Sequence, residues 1–141
     1  MTDLGVTTRE RGSSGRGGIL EGRHILVLED EPIILLNVAR ALERCGGTVR
    51  RARTVGKALA DLASADVDGA ILDVNMGAGA TCLPVAEHLR TRNIPFCLHS
   101  GDMQGMGEFV TSVRAPLIEK PASDRTIVEG VARLFEDPTA A

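Results

Sequence analysis

The sequence predicts an α/β protein built on one parallel sheet of five strands, with helices on both faces. Short apolar runs alternate with amphipathic stretches of helical period, a pattern typical of a parallel sheet covered by helices. Polar residues end several of these runs, namely Glu29-Asp30, Asp73, Ser100 and Glu119-Lys120-Pro121. If the runs are parallel strands, these groups all lie at the carboxyl edge of the sheet, where open α/β folds bind their ligands.

Composition indicates one soluble domain. The chain has 141 residues, long enough for a real core, and 43% hydrophobic and 25% charged residues, which are ordinary values. The net charge of -3 favours neither nucleic acid nor an anionic membrane as a partner. The apolar stretches are too short to span a bilayer, and the start does not resemble a signal peptide. Cys45, Cys82 and Cys97 are odd in number and lack a C-x-x-C spacing, so we expect a reducing, cytoplasmic location.

The first 23 residues are rich in glycine and contain few apolar side chains before Ile19. Such a segment cannot bury enough surface to offset its ordering entropy, so residues 1–23 are predicted to be a disordered tail. The folded domain is expected over residues 24–136, and residues 137–141 form a short C-terminal tail.

The first half of the domain predicts two strands and two helices. A strand over His24–Leu28 leads to a helix that starts near Pro32 and stops at Gly46-Gly47. A short second strand, Thr48–Ala52, comes next, and Thr54 is expected to cap the second helix.

The second half continues the alternation. A third strand ends at Asp73, a glycine-rich loop follows, and Thr81 is expected to cap the third helix. The fourth strand ends at Ser100, and Met103 to Val113 predicts a weak helix because two glycines interrupt it. A fifth strand precedes Lys120, and the last helix follows Ser123-Asp124. This succession fits the flavodoxin-like strand order 2-1-3-4-5.

In that order the first and third strands are neighbours, so Glu29, Asp30 and Asp73 converge. Convergent carboxylates raise one another's pKa unless a cation neutralises them, and a hard divalent ion such as Mg²⁺ would do so. Taken alone, Asp73 could merely cap the following loop. Glu29 and Asp30 alone could be a charge pair at a helix N-terminus.

Lys120 and Ser100 extend this cluster. A lysine at a strand's carboxyl end, facing an acidic pocket, is a fixed point charge for a phosphoryl oxygen, although a lysine beside a helix start is usually a surface charge. The Ser100 hydroxyl can reach the same phosphoryl group from the strand between Asp73 and Lys120.

The chain resembles the receiver domain of bacterial two-component response regulators over roughly Arg23 to Glu136. Four segments match that family in order and spacing: Val27-Leu28-Glu29-Asp30-Glu31-Pro32, Leu72-Asp73-Val74-Asn75-Met76, the strand-ending Ser100, and Glu119-Lys120-Pro121. The resemblance implies that Asp73 is the phosphoacceptor. It implies that Ser100 and Lys120 contact the phosphoryl group. It also implies a Mg²⁺ site formed by Asp30 and Asp73, by Glu29 through water, and by the backbone carbonyl of Asn75.

Two positions depart from the family pattern. Leu117 stands where receivers often have an aromatic switch residue, and Gly77 replaces the common proline after the Asn-Met pair. The segment from Phe96 to Gly101, with Asp73 to Gly77 and Ala115 to Pro121, looks like a subgroup of single-domain receivers associated with alphaproteobacterial HWE-type histidine kinases. An aromatic residue often follows the glycine in that subgroup, whereas Asp102 stands here.

The resemblance implies a stand-alone receiver that takes its phosphoryl group from a histidine kinase or a histidine phosphotransfer protein. We expect no attached output domain, so output would come from binding a downstream protein or from draining phosphate. The protein is expected to be a signalling protein rather than an enzyme, although it assists its own phosphoryl transfer and hydrolysis. A pseudo-receiver interaction module is the alternative. A phosphatase of the haloacid dehalogenase type fits less well, because Asn75 stands where its second aspartate is needed.

Overall fold

The computed structural model describes residues 15–101, 109 and 112–136. Its core is a parallel five-stranded sheet in the order β2-β1-β3-β4-β5, which confirms the predicted fold. The strands are β1 His24–Leu28, β2 Thr48–Ala52, β3 Gly69–Asp73, β4 Phe96–Ser100 and β5 Leu117–Glu119. In the centre, Leu28 pairs with Leu72 and Asp73 pairs with His99. This register brings the ends of β1, β3 and β4 to one edge.

Helices cover both faces of the sheet. They are α1 Pro32–Arg44, α2 Val55–Ser64, α3 Leu83–Thr91 and α4 Asp124–Ala132, and a short 3-10 helix, Arg133–Phe135, extends α4. The apolar sides of α1 and α4 pack on one face with Ile25, Val27 and Ile71. Those of α2 and α3 pack on the other face with Leu26 and Leu72. The central strands are therefore buried on both sides, as their continuous apolar runs indicate.

The first helix begins at Pro32 as predicted, and two of the three predicted helix caps are present. Thr54 accepts a hydrogen bond from the Lys57 backbone N–H at 3.0 Å, and Ser123 caps α4 in the same way. The third helix begins at Leu83, and its N-cap residue is Cys82, whose side chain makes no capping hydrogen bond. The Thr81 hydroxyl, one residue earlier, accepts the Leu83 backbone N–H at 3.3 Å, and Thr81 also forms an isolated antiparallel bridge with Asn75. Thr81 is therefore not the N-cap residue itself, although its hydroxyl bonds to the first N–H of α3.

The folded domain begins earlier than residue 24. A 3-10 helix spans Gly15–Leu20, and the Leu20 side chain is fully buried in the core beneath α1. Its backbone N–H donates to the Cys45 carbonyl at 2.9 Å. Leu20 is therefore part of the core, although it lies in the segment predicted to be a tail. Residues 1–14 and 137–141, expected to be tails, lie outside the described residues.

The weak helix expected over Met103 to Val113 lies mostly outside the described residues, although Phe109, Ser112 and Val113 are helical. In the part of the chain that the structure describes, we find no helix long and apolar enough to cross a membrane.

Candidate functional site

Three carboxylates meet at the carboxyl edge of the sheet. Glu29 and Asp30 directly follow β1, and Asp73 is the last residue of the neighbouring strand β3. One oxygen from each lies within 4.8 Å of the others. Glu29 and Asp73 are buried, whereas Asp30 is partly exposed. The donor set is entirely oxygen, which is what a hard divalent cation such as Mg²⁺ prefers.

The surroundings of Asp73 disfavour its ionised form. Burial, together with the adjacent charge of Glu29, raises the pKa of Asp73 from 3.8 to about 8, and the opposing effect of Lys120 is too small to reverse this. A second positive charge in the cluster would lower that pKa again. The carboxylates therefore fit a bound cation on energetic as well as chemical grounds.

Lys120 lies between two of the carboxylates. Its Nζ atom is 2.9 Å from Glu29 Oε1 and 3.2 Å from Asp73 Oδ1. Burial alone would lower the pKa of Lys120, but the hydrogen bond to Glu29 and the charges of Asp73 and Glu29 outweigh it and raise that pKa. The residue is therefore an ammonium ion fixed beside Asp73.

The backbone sets the position of Lys120 and Ser100. Ser100 is the last residue of β4, is 1% exposed, and its carbonyl accepts the Lys120 backbone N–H at 2.9 Å. The peptide bond between Lys120 and Pro121 is cis. Ser100 and Lys120 line a cavity of about 280 Å³ together with Asp30, Asp73 and Asn75.

The loop after β3 completes this cavity. The Asn75 side-chain oxygen accepts the Gly77 backbone N–H at 3.0 Å, so the side chain stabilises its own loop. Gly77, Ala78 and Gly79 all have positive φ angles. At Gly77 a glycine suits the turn, because a side chain would be strained at φ 84.

Glu29 contributes to the site through its contact with Lys120. It is 1% exposed, and its carboxylate bonds to Lys120 and accepts the Glu31 backbone N–H at 3.2 Å. Its position holds the ammonium group in place, and this ion pair was not anticipated from the sequence. The cavity also includes Glu31, Gly77 and Gly101, whose only sequence signal is that they adjoin the motif residues.

Glu29, Asp30, Asp73, Ser100 and Lys120 thus lie together at one edge, as their positions after strands predicted. A buried carboxylate, an ammonium group, a hydroxyl and two further carboxylates around one small open cavity suit a divalent cation together with a tetrahedral anion such as a phosphoryl group. The individual roles given to these residues stay predictions.

Comparison with known proteins supports this interpretation. No family model and no curated protein sequence matches the chain. Solved structures do match. SdrG from Sphingomonas melonis is 34% identical, with a TM-score of 0.69, and the match covers 81% of this chain and 97% of that one. A response regulator receiver protein from Sinorhizobium medicae is 26% identical, with a TM-score of 0.72 and coverage of 82% and 95%. The response regulator TrrA from Thermotoga maritima, solved in complex with Mg²⁺ and BeF, is 26% identical, with a TM-score of 0.69 and coverage of 80% and 99%.

The chain belongs to the response regulator receiver family. Leu117, which stands where receivers often have an aromatic residue, lies at the start of β5 and packs, partly buried, against the core cluster that contains Leu26 and Leu72. Among the described residues, the cluster that could hold a metal ion includes no cysteine and no histidine, although His99 pairs with Asp73 in the sheet. Cys82 and Cys97 are buried in the core, and burial raises the pKa of each thiol to about 12, so both stay protonated.

Proposed function

We propose that this receiver accepts a phosphoryl group on Asp73 from a phosphohistidine. The observation that supports this most is the contact between the buried Asp73 carboxylate and the Lys120 ammonium group, 3.2 Å apart, beside two further carboxylates and an open cavity. This combination gives a nucleophile, a charge for the transferred group and room for it.

The transfer follows from these positions. One oxygen of ionised Asp73 attacks phosphorus, the phosphorus–nitrogen bond of phosphohistidine breaks, and the departing imidazole takes up a proton. Since the pKa of Asp73 is about 8 without a cation, the carboxyl must first lose its proton. Lys120 stabilises the charge on the phosphoryl oxygens, and Ser100 is positioned to hydrogen-bond to one of them. Positioning and fixed charge provide most of the catalysis in this type of reaction.

Asp30, Asp73 and the Asn75 backbone carbonyl would bind Mg²⁺ directly, and Glu29 would act through water. When bound, Mg²⁺ supplies positive charge that neutralises the carboxylates and the phosphoryl oxygens.

The proposed donor is a histidine kinase or a histidine phosphotransfer protein, and the resemblance of the motif segments to single-domain receivers associated with HWE-type kinases favours a kinase of that type. Output comes from binding a downstream protein or from draining phosphate. We propose a cytoplasmic signalling protein that is not an enzyme for an external substrate, although it assists its own phosphorylation and hydrolysis.

Incubation with phosphoramidate and Mg²⁺, followed by intact mass spectrometry, tests the phosphoacceptor. The wild type is expected to gain one phosphoryl mass, and Asp73→Asn none. Asp61→Asn is the matched control, because Asp61 is an equally buried aspartate that pairs with Lys57 at 2.8 Å on α2, away from the site.

Phosphorylation of Asp61→Asn at the wild-type level supports the assignment. Full phosphorylation of Asp73→Asn, or an unmodified wild type that binds Mg²⁺, contradicts it.

A further inference from the structure

We infer that a groove at the amino edge of the sheet binds an acidic peptide segment of a partner protein, one that also presents apolar side chains. We call this surface the arginine groove, and we define it by Arg90, Arg114 and Arg133 with Phe96, Pro116 and Leu134. It measures about 520 Å³. It lies before β4 and β5, at the edge opposite Asp73, so the inference does not rest on the proposed function.

Three separate elements bring the arginines together. Arg90 lies in the last turn of α3, Arg114 in the turn that precedes β5, and Arg133 in the 3-10 helix after α4. All three side chains are exposed. Arg114 has a φ of 59°, a left-handed conformation that is unfavourable for a residue with a side chain. Three arginines and one carboxylate, Glu136, therefore line the groove, which is positively charged on a protein whose net charge is -3.

Within the described part of the chain, none of these three arginines forms an ion pair with a carboxylate, in contrast to several other arginines of the domain. Elsewhere, Arg44 pairs with Asp124, Arg51 with Glu43, and Arg125 with Glu129. Among the residues that the structure describes, no carboxylate lies within salt-bridge distance of Arg90, Arg114 or Arg133. A guanidinium group binds a carboxylate with two parallel hydrogen bonds, so three arginines that have no carboxylate partner suit an acidic ligand.

The groove also has an apolar component. Leu134 is half-buried, Pro116 is exposed, and the Phe96 ring lies under the Arg90 guanidinium, 5.5 Å from the ring centroid. A purely ionic ligand would leave this apolar surface in water. Interfaces with peptides combine charged contacts with apolar ones, and clusters of arginines are a known mode of recognising acidic motifs. An acidic peptide with leucine or phenylalanine side chains therefore fits better than a bare anion.

Fluorescence anisotropy with a short labelled peptide that alternates glutamate with leucine and phenylalanine tests the inference. The full-length protein is expected to bind this peptide, and Arg114→Glu and Arg133→Glu are each expected to weaken binding at least tenfold. Arg125→Glu is the matched control. It makes the same charge change on α4, outside the groove, and is expected to change the affinity less than twofold. Amide NMR spectra of each variant show whether it is folded.

Two further probes separate the groove from general charge attraction. A peptide with glutamine in place of glutamate is expected to bind at least tenfold more weakly, and a single-stranded oligonucleotide of equal charge is expected not to displace the acidic peptide. The inference is overturned if the acidic peptide does not bind the wild type or if Arg125→Glu weakens it as much as Arg114→Glu does. It is also overturned if the oligonucleotide displaces the peptide at equal concentration, because the groove then binds anions in general.

Discussion

The two edges of the sheet are stabilised by different kinds of interaction. At the carboxyl edge, Glu29 and Asp73 are buried charges that share the Lys120 ammonium group. At the amino edge, Leu20 is fully buried, and the Phe135 ring packs so closely against Gly69 that a Cβ atom there would lie 2.8 Å from Cζ. The arginines at that edge are exposed instead of buried.

The amino edge of the sheet therefore contributes mainly to stability, and the carboxyl edge is suited to binding ions. Burial of apolar surface stabilises the amino edge by an amount that scarcely depends on pH or ions. The carboxyl edge holds more negative charge than its lysine neutralises, so its stability depends on protons and cations. The same excess of charge that lowers stability prepares this edge to bind Mg²⁺ and a phosphoryl group.

Replacing Lys120 gives the largest expected effect. Lys120→Met leaves two buried carboxylates without a cation, so we expect the free energy of unfolding in EDTA at pH 9 to fall by about 3 kcal/mol. We also expect phosphorylation to slow by on the order of 100-fold, because a fixed charge for the transferred group is lost. Urea denaturation and the rate of labelling by phosphoramidate measure these effects.

The loss of stability in Lys120→Met should shrink at pH 5, because the raised pKa of Asp73 leaves that carboxyl protonated there. Arg125→Met is the control, because it breaks an exposed ion pair and should cost less than about 1 kcal/mol at either pH. An equal loss at both pH values in Lys120→Met would mean that the lysine acts by packing alone.

The amino edge should behave in the opposite way. Leu20→Ala is expected to lower the free energy of unfolding by about 3 kcal/mol, because it removes a fully buried side chain. The loss should be the same at pH 5 and pH 9, with or without Mg²⁺. Ile19→Ala changes a neighbour that is 61% exposed and should cost under about 0.5 kcal/mol. Similar losses in the two variants would show that Leu20 is not part of the core in solution.

Titration of Asp73 gives a smaller effect. Its pKa is about 8 in the folded protein and 3.8 in an unfolded chain, so the folded state binds the extra proton between these values. Stability is therefore present below pH 4 and is lost as the pH rises to about 8. After discounting for solvent screening, we expect this loss to be about 1–2 kcal/mol in EDTA.

The quantity to measure is the difference in unfolding free energy between wild type and Asp73→Asn from pH 5 to pH 9, since other titrations cancel in it. Asn should become relatively more stabilising as the pH rises, and Mg²⁺ should remove the advantage. A difference that does not vary with pH would show that Asp73 is already ionised without a cation.

His99 should give the smallest effect, with the opposite sign. Burial and the nearby Lys120 charge lower its pKa from 6.5 to about 4, so the folded protein holds a neutral imidazole. Stability is then lost as the pH falls from 6.5 to 4. We expect His99→Leu to resist this acid destabilisation by about 1 kcal/mol, after solvent screening is discounted. Urea denaturation at pH 4.5 and 7 checks this, and an unchanged difference between the two pH values would refute it.

Much of the fold could be predicted because a polar residue after each apolar run marks where a strand ends. The run from Ile25 to Leu28 is uniformly apolar and stops at the charged Glu29, and the run from Gly69 to Leu72 is uncharged and stops at Asp73. Since the side chains that end parallel strands share one edge, the cluster of Glu29, Asp30 and Asp73 followed from those ends and the strand order.

Other features depend on contacts that no local pattern shows. Leu20 stands in a glycine-rich segment, and only its packing beneath α1 makes it part of the core. Threonine is a residue type that often caps helices, but Thr81 pairs with Asn75 and lies in the loop before α3. The bond between Lys120 and Glu29 joins residues from opposite ends of the domain, so only the register of the strands could place them together.

The measurement that tests the central claim most directly is fluorine NMR of the protein with beryllium fluoride, which attaches to a carboxylate as a mimic of a phosphoryl group. The claim is that Asp73, Mg²⁺ and Lys120 form one phosphoryl site at the carboxyl edge. We predict bound fluoride resonances that require Mg²⁺, are weaker in Lys120→Met, are absent in Asp73→Asn and are unchanged in Asp61→Asn. Bound resonances that persist in Asp73→Asn, or that form equally well in EDTA, would contradict the claim.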